Sequence, residues 1–252
     1  MGLLKRIYNR ENSAQNNNKY SDILNNLNAS RNLFKTDFIL QDKTSNEYLA
    51  LNNQAAFIYK YLNLNTIDNA IKKNPVIVRL VQDNDLSMQY DLNNVSSIIV
   101  SHLIPTARLV QKIYLKINNT QFSDDYICLI QAALLHDIGK IFIPKSILNK
   151  NSKLSSYERQ IIELHNRFSF EILETTDLKP QVARLAWEHH NYDNCFKRTP
   201  ENQALTVADI YCALREVRPY KKALNDITAK TILYDMGASG KFDVSYIRHL
   251  FA

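Results

Sequence analysis

The chain has 252 residues, of which 45% are hydrophobic and 22% charged. That apolar content supports a packed core and excludes a globally disordered chain. The formal charge of +6 suits an anionic ligand such as a phosphate ester, while no basic block or recognition motif points to a nucleic-acid partner.

No apolar run approaches the roughly 20 residues that a membrane span needs. Cys128, Cys195 and Cys212 are too few and too far apart for a disulfide framework or a cysteine-based zinc site; that usage fits a reducing cytoplasm. The opening residues read as neither a signal peptide nor a myristoylation signal, since Arg6 stands where a Ser or Thr is required.

In chain order, residues 1–30 are predicted to be a mobile arm, Asn-rich from residue 9, with at most a marginal helix over 20–27. Residues 31–93 read as a small helical N-terminal region whose role is open between sensing, dimerisation and packing. Within it Leu51, Ala55, Ile58 and Leu62, then Ile67 and Ile71, keep helical spacing over 47–73. Asn74 and Pro75 supply an N-cap and first-turn proline for a helix over 76–81.

From residue 94 the helices follow quickly. Ser123, Asp124 and Asp125 cap a helix running through Ile127, Ile130, Ala133 and Leu134 into His136, with both acids at the positive end of the helix dipole. Ser155 and Glu158 form a capping box before Ile161, Ile162 and His165. Pro180 opens a helix through Val182, Leu185 and Ala186 to His189 and His190. Gly237 is expected to end a helix over 228–236. Few strand signals compete, so the fold class is all-α.

The chain holds six histidines, and five of them, His102, His136, His165, His189 and His190, lie in this helical series, which Asp209 closes. Neutral imidazole and carboxylate are ligands that divalent transition metals prefer, and ligands on several helices can converge inside a bundle. Adjacent His136 and Asp137 would point about 100° apart on a helix. A carboxylate bridging two ions solves that geometry, and paired ions can clamp an in-line phosphodiester displacement. Lys140, four residues after His136, would share its helical face.

Six segments occur in order. The first is the stretch from Ala132 through His136, Asp137, Gly139, Lys140 and Pro144 to Lys150. Next come 154–158 leading to His165, the His189-His190 pair, and Val207-Ala208-Asp209 with Ala213 and Leu214. Arg218-Pro219-Tyr220-Lys221 and Lys241-Phe242-Asp243 complete the set. Together they resemble the HD-GYP domains of the HD superfamily, phosphodiesterases that hydrolyse cyclic di-GMP.

The resemblance implies an HD-superfamily helical bundle over 94–252 with divalent metal ions, two in number and Mn, Fe or similar. It implies metal ligation by His136, Asp137 (bridging), His165, His189, His190 and Asp209. Lys140 would act with Asp137 in catalysis, and Arg218 and Lys221 would hold the ligand's phosphates.

Three departures stand out. The GYP loop is missing: Asn191-Tyr192-Asp193-Asn194-Cys195-Phe196 follows the His pair instead. Pro105 occupies the place of the first-helix His, so His102, three residues earlier, either substitutes as a metal ligand or packs; the acidic ligand before it is replaced by Ser101. Cys212 and Val217 stand where two further acids are expected. Two readings follow: a metal-dependent phosphohydrolase acting on cyclic di-GMP or a related nucleotide, or a degenerate module that binds metal, nucleotide, a signalling partner or a second copy without turnover.

Overall fold

The structure, a computed structural model, describes residues 54–118, 123–192, 198–217 and 222–252. The predicted arm over 1–30 and the stretch 31–53 lie outside the described residues. Everything described is helix, turn or loop, as the all-α class requires, and no described helix is long and apolar enough to cross a membrane.

The first helices are short: α1 (Gln54–Tyr61), α2 (Leu64–Lys73) and α3 (Pro75–Asp83). The helical spacing read over 47–73 is therefore divided between two helices, with the break at Leu62 and Asn63. The cause is Asn63, whose side chain accepts the Thr66 amide proton at 3.0 Å and so caps a new helix; short polar side chains compete with the helical ladder in this way. Asn74 repeats the device before Pro75, accepting from the Val76 amide at 3.0 Å. Helices α2 and α3 pack on α8.

The rest follows as α4 (Asn93–Ser96), a π-helical turn (Ile99–Leu103), α5 (Ile104–Asn118), α6 (Asp124–Leu135), a 3-10 turn (Ile138–Phe142) and α7 (Lys145–Leu148). Then come α8 (Ser156–Leu173), α9 (Pro180–Glu188), α10 (Pro200–Arg215), α11 (Asp226–Ala238) and α12 (Ser245–Phe251). The caps read from sequence form: Ser123 accepts from Tyr126, and Ser155 and Glu158 make a full capping box.

Helices α5, α6, α8, α9 and α10 enclose one core, with Val110, Leu129, Leu134, Phe168, Val182 and Leu205 all buried. Helix α10 is buried without a break from Glu201 to Ile210, the pattern of a helix surrounded by neighbours. Its contacts with α5, α6, α9, α11 and α12 make it the central rod of the bundle.

One expected end is misplaced. Helix α11 passes through Gly237 to Ala238, and Gly237 is small because a Cβ there would lie 2.7 Å from Val244 Cγ1. The left-handed residue beyond the helix is Gly240, at φ +82°.

Candidate metal centre

Two of the histidines sit where helices end. Helix α6 stops at Leu135 with His136 as its C-cap, and α9 stops at Glu188 with His189 as its C-cap. Carbonyls at helix C-termini need outside donors, and here neighbouring helices provide them. Ser169 Oγ on α8 donates to the His136 carbonyl at 2.6 Å, and Thr206 Oγ1 on α10 donates to the His189 carbonyl at 2.8 Å.

The expectation of His136 and Asp137 as neighbours within one helix is thus corrected. Asp137 has φ −96° and ψ 6° and turns the chain into the 3-10 segment. Lys140 accordingly does not share an α-helical face with His136; its Nζ lies 2.6 Å from Asp137 Oδ2 at i+3 spacing.

That turn is pressed against α8. Gly139 donates its amide proton to Ser169 Oγ at 2.9 Å. A Cβ on Gly139 would lie 2.2 Å from the His165 carbonyl oxygen, so only glycine allows the approach. Asn94 closes the other end of the turn, donating from Nδ2 to the carbonyls of Lys140 and Ile143 at 3.1 and 2.8 Å.

His102 reaches the cluster through the π-helical turn. Leu103 and Ile104 donate to the carbonyls of Ile98 and Ile99 across five residues. Pro105 lacks the amide proton that an α-helix would need and crowds the preceding turn; one extra residue in the turn accommodates it and re-aims His102. The His102 ring is buried, with Nε2 3.0 Å from Asp209 Oδ1 and 3.5 Å from Asp137 Oδ2.

The ring nitrogens divide their duties consistently. Nδ1 of His136, His165 and His189 faces the carbonyl of Ala133, Ile162 and Ala186 at 2.9, 2.6 and 2.6 Å. A carbonyl can only accept, so each Nδ1 carries a proton and each Nε2 is turned inward. This is the arrangement by which an outer partner orients a metal-binding imidazole. His136 Nε2 is buried without a hydrogen-bond partner, and His165 Nε2 and His189 Nε2 face each other at 3.4 Å. Imidazole nitrogens gathered at one buried point beside two carboxylates suit a cation.

The donor atoms fall into overlapping groups, each within 4.8 Å: His102, His136 and Asp209; His165, His189 and His190; and His136, Asp137 and His189. Asp137 lies between the first two groups. Its Oδ2 is 3.5 Å from both His102 and His136, and its Oδ1 is 3.2 Å from His165. Asp209 likewise points Oδ1 at His102 and His136 (3.0 and 3.7 Å) and Oδ2 at His190 (3.9 Å).

Burial opposes ionisation of both aspartates. Lys140, His136 and His165 nonetheless hold Asp137 well below the usual carboxylate range, and His102, His136 and His190 do the same for Asp209. Burial holds His189 well below the usual imidazole range and His190 at about 4, so both keep their lone pairs at neutral pH. Burial opposes charge on His136, but Asp137 and Asp209 beside it raise it above the usual imidazole range. Two ionised carboxylates among buried imidazoles form a donor set that suits divalent transition-metal ions.

All seven residues expected to ligate metal are therefore brought together, with Lys140 at their edge. Arg218 and Lys221, and most of the loop that replaces the GYP motif, lie outside the described residues. Ser169, Thr206 and Asn94 went unnoticed in the sequence, as did Glu216, which accepts from Ser101 Oγ at 3.1 Å and lies 4.0 Å from His102 Nδ1. Ser169 had a signal: a small polar residue on the buried face that also carries His165 and Phe168.

Comparison with known proteins agrees with this geometry. The HD domain family matches over residues 93–246. The 3′3′-cGAMP-specific phosphodiesterase 3 of Vibrio cholerae is 35% identical over 112 residues, 40% of this chain and 24% of its own. The cyclic di-GMP phosphodiesterase response regulator RpfG of Xanthomonas campestris is 38% identical over 114 residues, 41% of this chain and 30% of its own. The cyclic di-GMP phosphodiesterase PA4108 of Pseudomonas aeruginosa is 32% identical over 127 residues, 46% and 30% respectively. The matched stretch thus spans less than a third of each of these relatives. With its family match covering more than half of the sequence and its His/Asp cluster at the centre of the bundle, this chain belongs to the HD domain family, as a member of HD-GYP-like type.

Proposed function

We propose that the chain is a metal-dependent phosphohydrolase, a phosphodiesterase of the HD-GYP type that holds two divalent ions, Mn, Fe or similar, and acts on cyclic di-GMP or a related nucleotide. The observation that carries this reading is the set of buried Nε2 atoms turned inward by backbone carbonyls around two ionised aspartates. His102, His136 and Asp209 would hold one ion and His165, His189 and His190 the other. Asp137 would span both, since its two oxygens already face the two groups. When bound, the ions supply Lewis-acid polarisation of a phosphodiester and neutralise charge developing on its oxygens.

The protein's own groups do the rest. Asp137 is kept ionised by the Lys140 ammonium 2.6 Å away. The Lys140 side chain is 15% exposed, so its charge also faces outward, where it stabilises negative charge on a phosphate. The His190 side chain is 31% exposed, against 7% or less for the other ligands, which marks the side from which a ligand enters. Arg218 and Lys221 would hold phosphate oxygens, Arg218 in bidentate fashion.

Metal analysis of protein purified without chelator, followed by turnover of bis-p-nitrophenyl phosphate and a cyclic-dinucleotide panel, tests the reading. Near-stoichiometric metal with hydrolysis that Asp137→Ala abolishes is expected. Metal without hydrolysis would favour the second reading, a binding module without turnover, for which Asn191 in place of the family's acid after the His pair speaks. Absence of metal would refute both.

A further inference from the structure

Beside the metal centre lies a cleft of about 230 Å³ lined by Asn166, Trp187, Glu188, His190 and Asn191. It opens from His190, the most exposed of the proposed ligands. Its volume is below the roughly 300–1,000 Å³ of sites that enclose a whole small ligand, so it fits one ring-sized part of a larger one.

Its wall is a prepared aromatic surface. Trp187 is the only tryptophan in the chain and is 41% exposed. The Arg167 guanidinium lies over the indole, 4.7 Å from the ring centroid, and Phe170 packs against it at 4.9 Å. Arg167 is itself anchored by buried Glu171 at 2.5 Å, and Asn74 holds Glu171 in turn. Arg167 and Phe170 thus hold the indole in place, and Trp187 lines the cleft.

The remaining lining is polar and suited to a heterocycle's edge. Asn166 Oδ1 is buried without a hydrogen-bond partner, an acceptor that a ligand N–H would satisfy. Glu188 adds a carboxylate, whose two oxygens accept from adjacent donors. A flat ring for stacking with acceptors at its rim is the recognition chemistry of a nucleobase. Among the bases, guanine presents two adjacent N–H donors to a carboxylate.

We infer that this cleft is a nucleobase subsite, with the base of a nucleotide ligand against Trp187, its donor edge on Glu188 and Asn166, and its phosphate toward His190. This rests on the phosphohydrolase reading for the direction of the phosphate, but the subsite is tested without turnover. Fluorescence of the single tryptophan is titrated in the full chain with guanosine 5′-monophosphate, inosine 5′-monophosphate and ribose 5-phosphate.

Saturable quenching by the guanosine nucleotide, weaker binding of the inosine nucleotide (which lacks the 2-amino group), and none by the sugar phosphate are expected. By calorimetry, Trp187→Leu should lose about 5- to 100-fold in affinity for the guanosine nucleotide, while Trp187→Phe keeps most of it. Glu188→Gln should erase the preference over the inosine nucleotide. Absent quenching, or equal quenching by ribose 5-phosphate, overturns the subsite; equal affinity for the two purine nucleotides overturns the role of Glu188. Base-dependent quenching without hydrolysis would remove the enzyme reading and keep the subsite, and hydrolysis without quenching would do the reverse.

Discussion

Replacing Gly139 with alanine tests how the metal centre is held together. An added Cβ would lie 2.2 Å from the His165 carbonyl oxygen, 2.6 Å from the Ser169 backbone nitrogen and 2.7 Å from Phe168 Cβ. Two of these obstacles are backbone atoms of α8, which no side-chain rotation relieves. Ordinary contact begins at 3.4 Å, so the 3-10 turn and α8 would have to part by about 1 Å, costing roughly 1–3 kcal/mol or more of overpacking. The same movement stretches the hydrogen bond from the Gly139 amide to Ser169 Oγ, now 2.9 Å, at about 1 kcal/mol. Against this, alanine gains only about 0.4–1 kcal/mol by restricting the unfolded chain. The clash wins, with a net loss of about 1–4 kcal/mol, and at about 2–4 °C per kcal/mol Tm should fall by at least about 2 °C and by up to roughly 14 °C. Because the movement separates Asp137 from His165, now 3.2 Å apart, metal affinity should fall as well. Differential scanning calorimetry and metal content report the two effects. A Tm within about 2 °C of the parent, with full metal, would refute the reasoning.

The other predictions concern the same centre. Ser169→Ala and Thr206→Val each leave a buried helix-end carbonyl without its hydroxyl donor and should cost about 1–3 kcal/mol, read by chemical denaturation; the double variant should be additive, since the hydroxyls serve different helices. Stripping metal with a chelator should lower Tm by roughly 5–10 °C for ions held at about a hundred times their Kd, with recovery on adding Mn; an unchanged Tm would count against metal in the folded protein. His102→Ala should remove about one equivalent of metal, because His102 and His136 share Asp209 Oδ1; unchanged stoichiometry and affinity would assign His102 to packing.

Several helix beginnings were legible because their caps are local, although the equally local cap at Asn63 was hidden inside a continuous apolar spacing. Asn74 with Pro75, Ser123, Ser155 with Glu158, and Pro180 each act within one turn of their own chain. Helix ends were not. The turn after Leu135 and the stop at Glu188 are completed by hydroxyls from other helices, which no local pattern contains. Gly237 misled for the converse reason: its lack of a side chain answers to Val244 rather than to a helix end.

The same division runs through the metal centre. Which residue types converge could be read from a chain with few histidines, but which nitrogen faces inward could not. That choice is made by the carbonyls of Ala133, Ile162 and Ala186, each three residues before its histidine. The spacing belongs to any helical histidine; it becomes decisive only because α6, α8 and α9 deliver their rings to one buried point. His102 lies outside that rule. It follows a π-helical turn, its Nδ1 makes no hydrogen bond, and Glu216 lies 4.0 Å from that nitrogen. Its inward aim therefore depends on the turn that Pro105 forces. Substituting Pro105 with alanine would let the α-helical ladder close, carry His102 away from Asp209, and leave the other imidazoles where their carbonyls hold them.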